Sequence, residues 1–150
     1  MNVYRISSAK YSKKLTASGT ENRWNKENEY VIYTGCSRSL STLELVVHRA
    51  AIEITIPYKL MVISIADEPG LIKEIQESDL PNNWRQTSAY IILQEIGSNW
   101  YQAKETLVLK VPSALIPQES NYVINTNHPL FSSKVILLEQ EDYIWDGRLL

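Results

Sequence analysis

A chain of 150 residues has the length of one domain, enough to bury roughly 70% of its unfolded surface around a single core. Hydrophobic residues at 44% and charged residues at 21% exclude a disordered tail or a fibrous repeat, and 15 Lys and Arg against 17 Asp and Glu, a net charge of -2, argue against coating of duplex phosphates as the main task. The single cysteine, Cys36, rules out an internal disulfide and a clustered thiolate metal site.

In chain order, residues 3–6 read as a short opening strand. Residues 10–29 are rich in Lys and Asn, carry Gly19 and are poor in apolar side chains, which suits a long excursion over the surface. Residues 30–34 are β-branched and aromatic and predict a strand. After Gly35, the Ser37 hydroxyl is placed to cap a helix over 38–51. In that helix Leu40, Leu43, Val47 and Ala50 recur at helical spacing and predict one buried stripe, with Glu44 at its margin, one turn from both Leu40 and Val47.

Residues 58–65 predict a buried strand, 69–77 a loop with a short helix, and 80–84 a turn. Residues 88–96 predict a second helix with Gly97 as its terminator. Residues 107–111, 122–125 and 135–138 are the remaining strands, separated by Pro112, Pro117 and Pro129. A mixed α/β or α+β fold follows, with more than one sheet expected. Residues 1–15 hold no apolar core of a signal peptide, and the longest near-apolar run, 60–66, is far short of the roughly 18 residues that cross a bilayer. A cytoplasmic protein without membrane contact is expected.

Standard catalytic signatures are missing from the sequence: no Walker-type glycine loop, GxGxxG, HExxH or GxSxG. Only two histidines exist, and neither His48 nor His128 matches a metal or triad spacing. Trp24, Trp84, Trp100 and Trp145 read as anchors of the core or of an interface. What stands out is Asn22-Arg23-Trp24-Asn25, then Tyr30-Val31-Ile32-Tyr33-Thr34, then Leu43-Glu44, and much later Val111-Pro112-Ser113-Ala114. These resemble the RES domain family, named for an arginine, a glutamate and a serine. Those would be Arg23, Glu44 and Ser113, with Tyr33 matching a tyrosine between the first two.

The likeness covers nearly the whole chain as a single RES domain, since Tyr4-Arg5, Ser37-Arg38-Ser39-Leu40, Leu80-Pro81 with Trp84, Asn121-Tyr122 and His128-Pro129 fall in the expected order. One departure is Glu21-Asn22, where many members carry glycines before the Arg-Trp pair.

The resemblance implies a compact α+β fold like that of ADP-ribosyltransferases, with mixed sheets and a few helices. It implies the toxin of a bacterial toxin-antitoxin pair acting on NAD, whose ADP-ribose is passed to water, to phosphate or to a protein, with no metal. It also implies a cognate Xre-like antitoxin as partner and admits a homodimer within their complex. A catalytically silent module on the same fold is the contrasting class.

The chemistry suits the residues. Nicotinamide leaves as a neutral molecule and needs no general acid, while the oxocarbenium-like transition state calls for a nearby carboxylate, a role for Glu44. Arg23 offers a planar, permanently charged fork for the pyrophosphate. Tyr33 is expected to stack on nicotinamide or bond a ribose, and Ser113 to offer a hydroxyl to ribose or carboxamide.

Overall fold

Strands whose side chains are apolar on both faces need cover on both faces, and the centre of this molecule is built that way. The computed structural model describes residues 1–48, 50 and 52–150. In chain order the elements are β1 (Asn2–Ser8), β2 (Val31–Gly35), α1 (Arg38–Val46), β3 (Tyr58–Ile65), β4 (Ile72–Glu74), α2 (Tyr90–Ala103), β5 (Val108–Pro112), β6 (Ser120–Asn125), α3 (Phe131–Lys134) and β7 (Val135–Tyr143). The strands form one seven-stranded sheet in the order β4-β5-β6-β2-β1-β3-β7. Neighbours are antiparallel except β4 and β5, which run parallel. The fold is α+β with a mixed sheet, and the expectation of more than one sheet gives way to a single hydrogen-bonded one.

Alternation along the strands separates the cores. Val3, Ile32, Met61, Ile63, Val108 and Ile124 belong to one cluster. Val31, Leu109, Val111 and Val123 belong to a second, shared with Trp24, Trp84 and α2 through Leu93, Trp100 and Tyr101. A third joins Ile6, Leu60 and Val62 to Tyr58, with Tyr143 and Trp145 packed against it. Three of the four tryptophans are thus deeply buried anchors, with Trp145 only partly covered.

Several sequence expectations change. Residues 69–77 hold strand β4 rather than a short helix, and the helical turn follows at Glu77–Asp79. β4 is a three-residue exposed edge without alternation, so its pairing to β5 is what makes it a strand. Gly97 does not end α2. The helix runs on to Ala103 and stops at Lys104, which takes the left-handed conformation with φ 53°. β7 extends to Tyr143 through the polar Glu139, Gln140, Glu141 and Asp142, as an edge strand tolerates.

Ser37 caps α1 as expected, its Oγ accepting the Leu40 N–H at 3.0 Å. The helix closes at Val46, and the far end of its expected span, Ala51, lies outside the described residues. Of the expected stripe only Leu40 is buried; Leu43 and Val47 are 40% and 55% exposed and Ala50 is exposed. The covered side of α1 is made instead by Leu40, Ser41 and the half-buried Leu45. No helix among the described residues is long and apolar enough to cross a membrane.

Candidate active site

Strand β1 meets β2 at a single register pair, Tyr4 opposite Gly35, although it pairs with β3 along its whole length. Where the two strands part, a cleft of about 420 Å³ opens, within the range of small-molecule sites. Tyr4, Arg5 and Ile6 line it from β1, Val31 and Tyr33–Gly35 from β2, and Glu44, Val47 and His48 from α1 and the turn after it. Gly35 lets the helix approach: a Cβ there would stand 2.7 Å from Ser41 Oγ.

Arg23, Tyr33 and Glu44 all line this one cleft. Arg23 sits at the tip of a tight turn, in which Asn22 N–H donates to Asn25 O at 3.1 Å and Asn25 N–H to Asn22 O at 3.4 Å. At such a tip the two central side chains diverge, so Trp24 enters the second core cluster while Arg23 faces the cleft. Arg23 Nη1 donates to the carbonyls of Trp84 and Arg85 at 3.1 and 3.2 Å, and its guanidinium lies 4.8 Å from the centre of the Tyr90 ring. Among the described residues no carboxylate pairs with it. Glu21 and Asn22, where the resemblance leads one to expect glycines, need no left-handed backbone; only Asn28 and Lys104 among described non-glycine residues have it. Asn22 Oδ1 in addition accepts the Arg23 N–H at 2.8 Å.

Glu44 is half-buried, and its Oε1 accepts two hydrogen bonds of 2.7 Å, one from Ser113 Oγ and one from Asn121 Nδ2. Oε2 receives none from the described residues. Ser113 follows β5 and Asn121 lies in β6 opposite Gly35, so the antiparallel pair β5–β6 brings two donors to an oxygen carried 69 and 77 positions earlier in the chain. The Ser113 hydroxyl is fully buried, and it also accepts the N–H groups of Leu115 and Ile116 at 3.1 and 3.2 Å. The structure therefore directs it at Glu44 and its own turn, not at the open cleft.

Tyr33 is likewise engaged within the protein. Its hydroxyl donates to Asn25 Oδ1 at 2.6 Å and accepts the Trp24 N–H at 3.0 Å. Burial pushes the phenol pKa well up, so it stays protonated and serves as a brace for the Arg23 turn while its ring lines the cleft.

Two residues that the sequence reading placed only in its ordered pattern acquire a place here. Asn121 is the second donor to Glu44. Arg5 puts another guanidinium in the cleft, held by one bond from Nη1 to Thr16 O at 3.2 Å, with no carboxylate partner among the described residues. Burial lowers its pKa, the mark of a cation short of counter-charge. The available signal was a charged residue set between the apolar Val3, Tyr4 and Ile6 of a short strand. His48 is exposed at the cleft wall, and His128 is buried, its Nδ1 accepting the Leu130 N–H at 3.0 Å. Among the described residues no group of three or more His, Cys, Asp or Glu is arranged to hold a metal ion.

Fold and cleft define the class: an α+β protein built on one mixed seven-stranded sheet, opened at the split between two central strands. The chain belongs to the RES domain family, whose sequence model, described as RES domain, matches residues 2–146. It is 32% identical over 153 residues to a protein named Toxin Res from Yersinia enterocolitica serotype O:8 / biotype 1B, covering 99% of both chains. It is 34% identical over 111 residues to the Prs ADP-ribosylating toxin of Sphingobium sp. (strain YBL2), covering 73% of this chain and 69% of that one. Among solved structures it is similar to the M. tuberculosis MbcT-MbcA toxin-antitoxin complex, with a TM-score of 0.74 and 18% identity over 95% of this chain and 84% of that one.

Proposed function

We propose that this protein is the toxin of a toxin-antitoxin pair and that it cleaves NAD at the bond between ribose and nicotinamide. The observation that carries the reading is the lining of the cleft: Arg5 and Arg23, two guanidiniums with no carboxylate partner among the described residues, and Glu44, one of whose oxygens accepts no hydrogen bond from those residues, on walls of a single crevice to which Glu21 adds a second carboxylate. A dinucleotide's diphosphate brings two negative charges, matching two cations, and guanidinium forks suit phosphate oxygens.

In the reaction the bond from the ribose C1 carbon to the ring nitrogen breaks with its electron pair going to nicotinamide, which leaves neutral. The ribose turns oxocarbenium-like, and the Glu44 carboxylate stabilises that positive charge from a half-shielded position. Water or phosphate then bonds to the same carbon, with water losing its proton to solvent. Ser113 and Asn121 keep Glu44 Oε1 occupied and leave Oε2 for the substrate. Tyr33 braces the Arg23 turn and offers its ring as one wall.

Incubating pure protein with NAD, with and without phosphate, and measuring free nicotinamide and the ADP-ribose product tests this. Release is expected, and the product names the acceptor; no release in either buffer overturns the reading. Transfer of ADP-ribose to a protein is a second reading, supported by the name of the Sphingobium relative. Labelled NAD in a lysate should then mark a discrete protein band, and label confined to small molecules opposes it. A cognate Xre-like antitoxin is proposed as partner, supported by the toxin-antitoxin complex among similar structures. Growth arrest on expression alone, relieved by co-expression of the neighbouring gene, is the expected result.

A further inference from the structure

Arg23 is carried on a long segment between β1 and β2 that contains neither strand nor α-helix, so something else must fix where its guanidinium stands. Helix α2 does so at one short step. The Trp24 carbonyl lies against the helix backbone at Gly97, where a Cβ would come within 1.7 Å of that oxygen. A glycine inside a helix costs stability, and here it gives the turn a place to sit. One turn earlier, Gln94 Nε2 donates to Asn22 O at 2.8 Å.

One residue after Gly97, the Ser98 Oγ donates to Glu29 Oε2 at 2.6 Å, and Gln102 Nε2 reaches the same oxygen at 3.3 Å. The other Glu29 oxygen accepts the Lys26 N–H at 2.7 Å. Glu29 is only 5% exposed and has no cationic partner among the described residues. A carboxylate so placed is tolerable because its donors are in position, and they come from both the segment and the helix. It works as a latch between them.

We propose that the Gly97–Ser98 step of α2, latched by the Glu29 carboxylate, positions Arg23 for the diphosphate of the dinucleotide; this rests on the NAD-cleaving reading above. None of Gly97, Ser98 and Glu29 lines the cleft. They act through the turn and are positioning residues. Their loss therefore weakens substrate capture, while Glu44, held from β5 and β6, keeps its geometry once substrate is bound.

The test uses the full chain with Ser98→Ala, which removes one donor, and Glu29→Gln, which keeps the side-chain shape but turns an acceptor into a donor. KM for NAD should rise about tenfold in each with kcat held within about twofold, as expected for a weakened hydrogen bond to a charged group. Amide exchange in residues 22–29 should quicken while exchange in β3 stays as in the wild type. Unchanged KM in both variants, or a fall in kcat equal to the rise in KM, overturns the positioning role. Wild-type protein that releases no nicotinamide overturns the enzymatic reading instead, so the two failures are told apart.

Discussion

Glu44 and Arg23 line the same cleft but rest on different ground. Glu44 stands on a helix, and one of its oxygens is fixed by Ser113 from the end of β5 and Asn121 from β6. Arg23 stands at the tip of a turn, tied through one nitrogen to two loop carbonyls and laid over the Tyr90 ring. A group that stabilises a developing charge must be held to within about half an ångström, and the sheet side supplies that rigidity. A cation that grips a diphosphate works over a wider range of positions, and a braced turn suffices. On the proposed reading, chemistry belongs to the sheet side and capture to the loop side.

The most direct way to break this division is Glu44→Gln, which keeps an oxygen for Ser113 and Asn121 but removes the negative charge. Nicotinamide release at saturating NAD should fall by about 100- to 1000-fold, the range for losing one group aimed at transition-state charge, with KM changed little. A large rise in KM at constant turnover would place Glu44 on the capture side. Next comes Arg23→Ala, for which KM should rise about 10- to 100-fold as a charge-assisted contact to phosphate is lost, with kcat changed much less. Initial-rate kinetics separate the two; equal affinity in wild type and the Arg23 variant would dissolve the capture side.

The same contrast decides what could be read from residue order. Eight of the ten elements, all but β4 and α3, lie where alternation, capping and proline placement put them, because β3, β5 and β6 carry their own apolar pattern and Ser37 announces α1. β4 has no such pattern and exists through β5. Gly97 carries the usual mark of a helix end, yet its role is set by a carbonyl more than 70 positions earlier in the chain, which no local window contains. The residues Arg23, Tyr33 and Glu44 were legible as a set, and the structure brings them to one cleft. The direction of the Ser113 hydroxyl, the donor on Asn121 and the place of Arg5 in the cleft depend on how strands cross, so their contacts emerge only in three dimensions.

A smaller effect sharpens the sheet side. Ser113→Ala removes one of two donors to Glu44, and kcat should drop about tenfold with KM unchanged. The Leu115 and Ile116 N–H groups lose their acceptor as well, so stability should fall by about 1–3 kcal/mol in a denaturant titration. Asn121→Ala removes the other donor without stranding those amides. A similar loss of kcat with a milder loss of stability would assign the kinetic effect to Glu44 and the rest to the turn; no loss of kcat in either variant would show that Glu44 needs no such support.

The least disruptive change tests the loop side through pH. Tyr33→Phe removes the hydroxyl that bridges Asn25 and the Trp24 N–H while keeping the ring in the cleft. KM should rise only about two- to threefold, since Glu29, Gln94 and the Trp24 side chain still hold the turn. In the wild type, burial raises the Tyr33 phenol pKa above the ordinary value of about 10, so above that pH the folded chain keeps a proton that the unfolded chain releases. The stabilisation from the neutral phenol is therefore complete below about pH 10 and is lost as pH climbs toward the raised folded value. Denaturant midpoints measured from about pH 8 to pH 11 should fall more steeply for the wild type than for Tyr33→Phe, the other tyrosines contributing alike to both. Parallel slopes would mean that the Tyr33 hydroxyl ionises as freely in the folded protein as in the unfolded chain, and the brace on the Arg23 turn would lose its chief support.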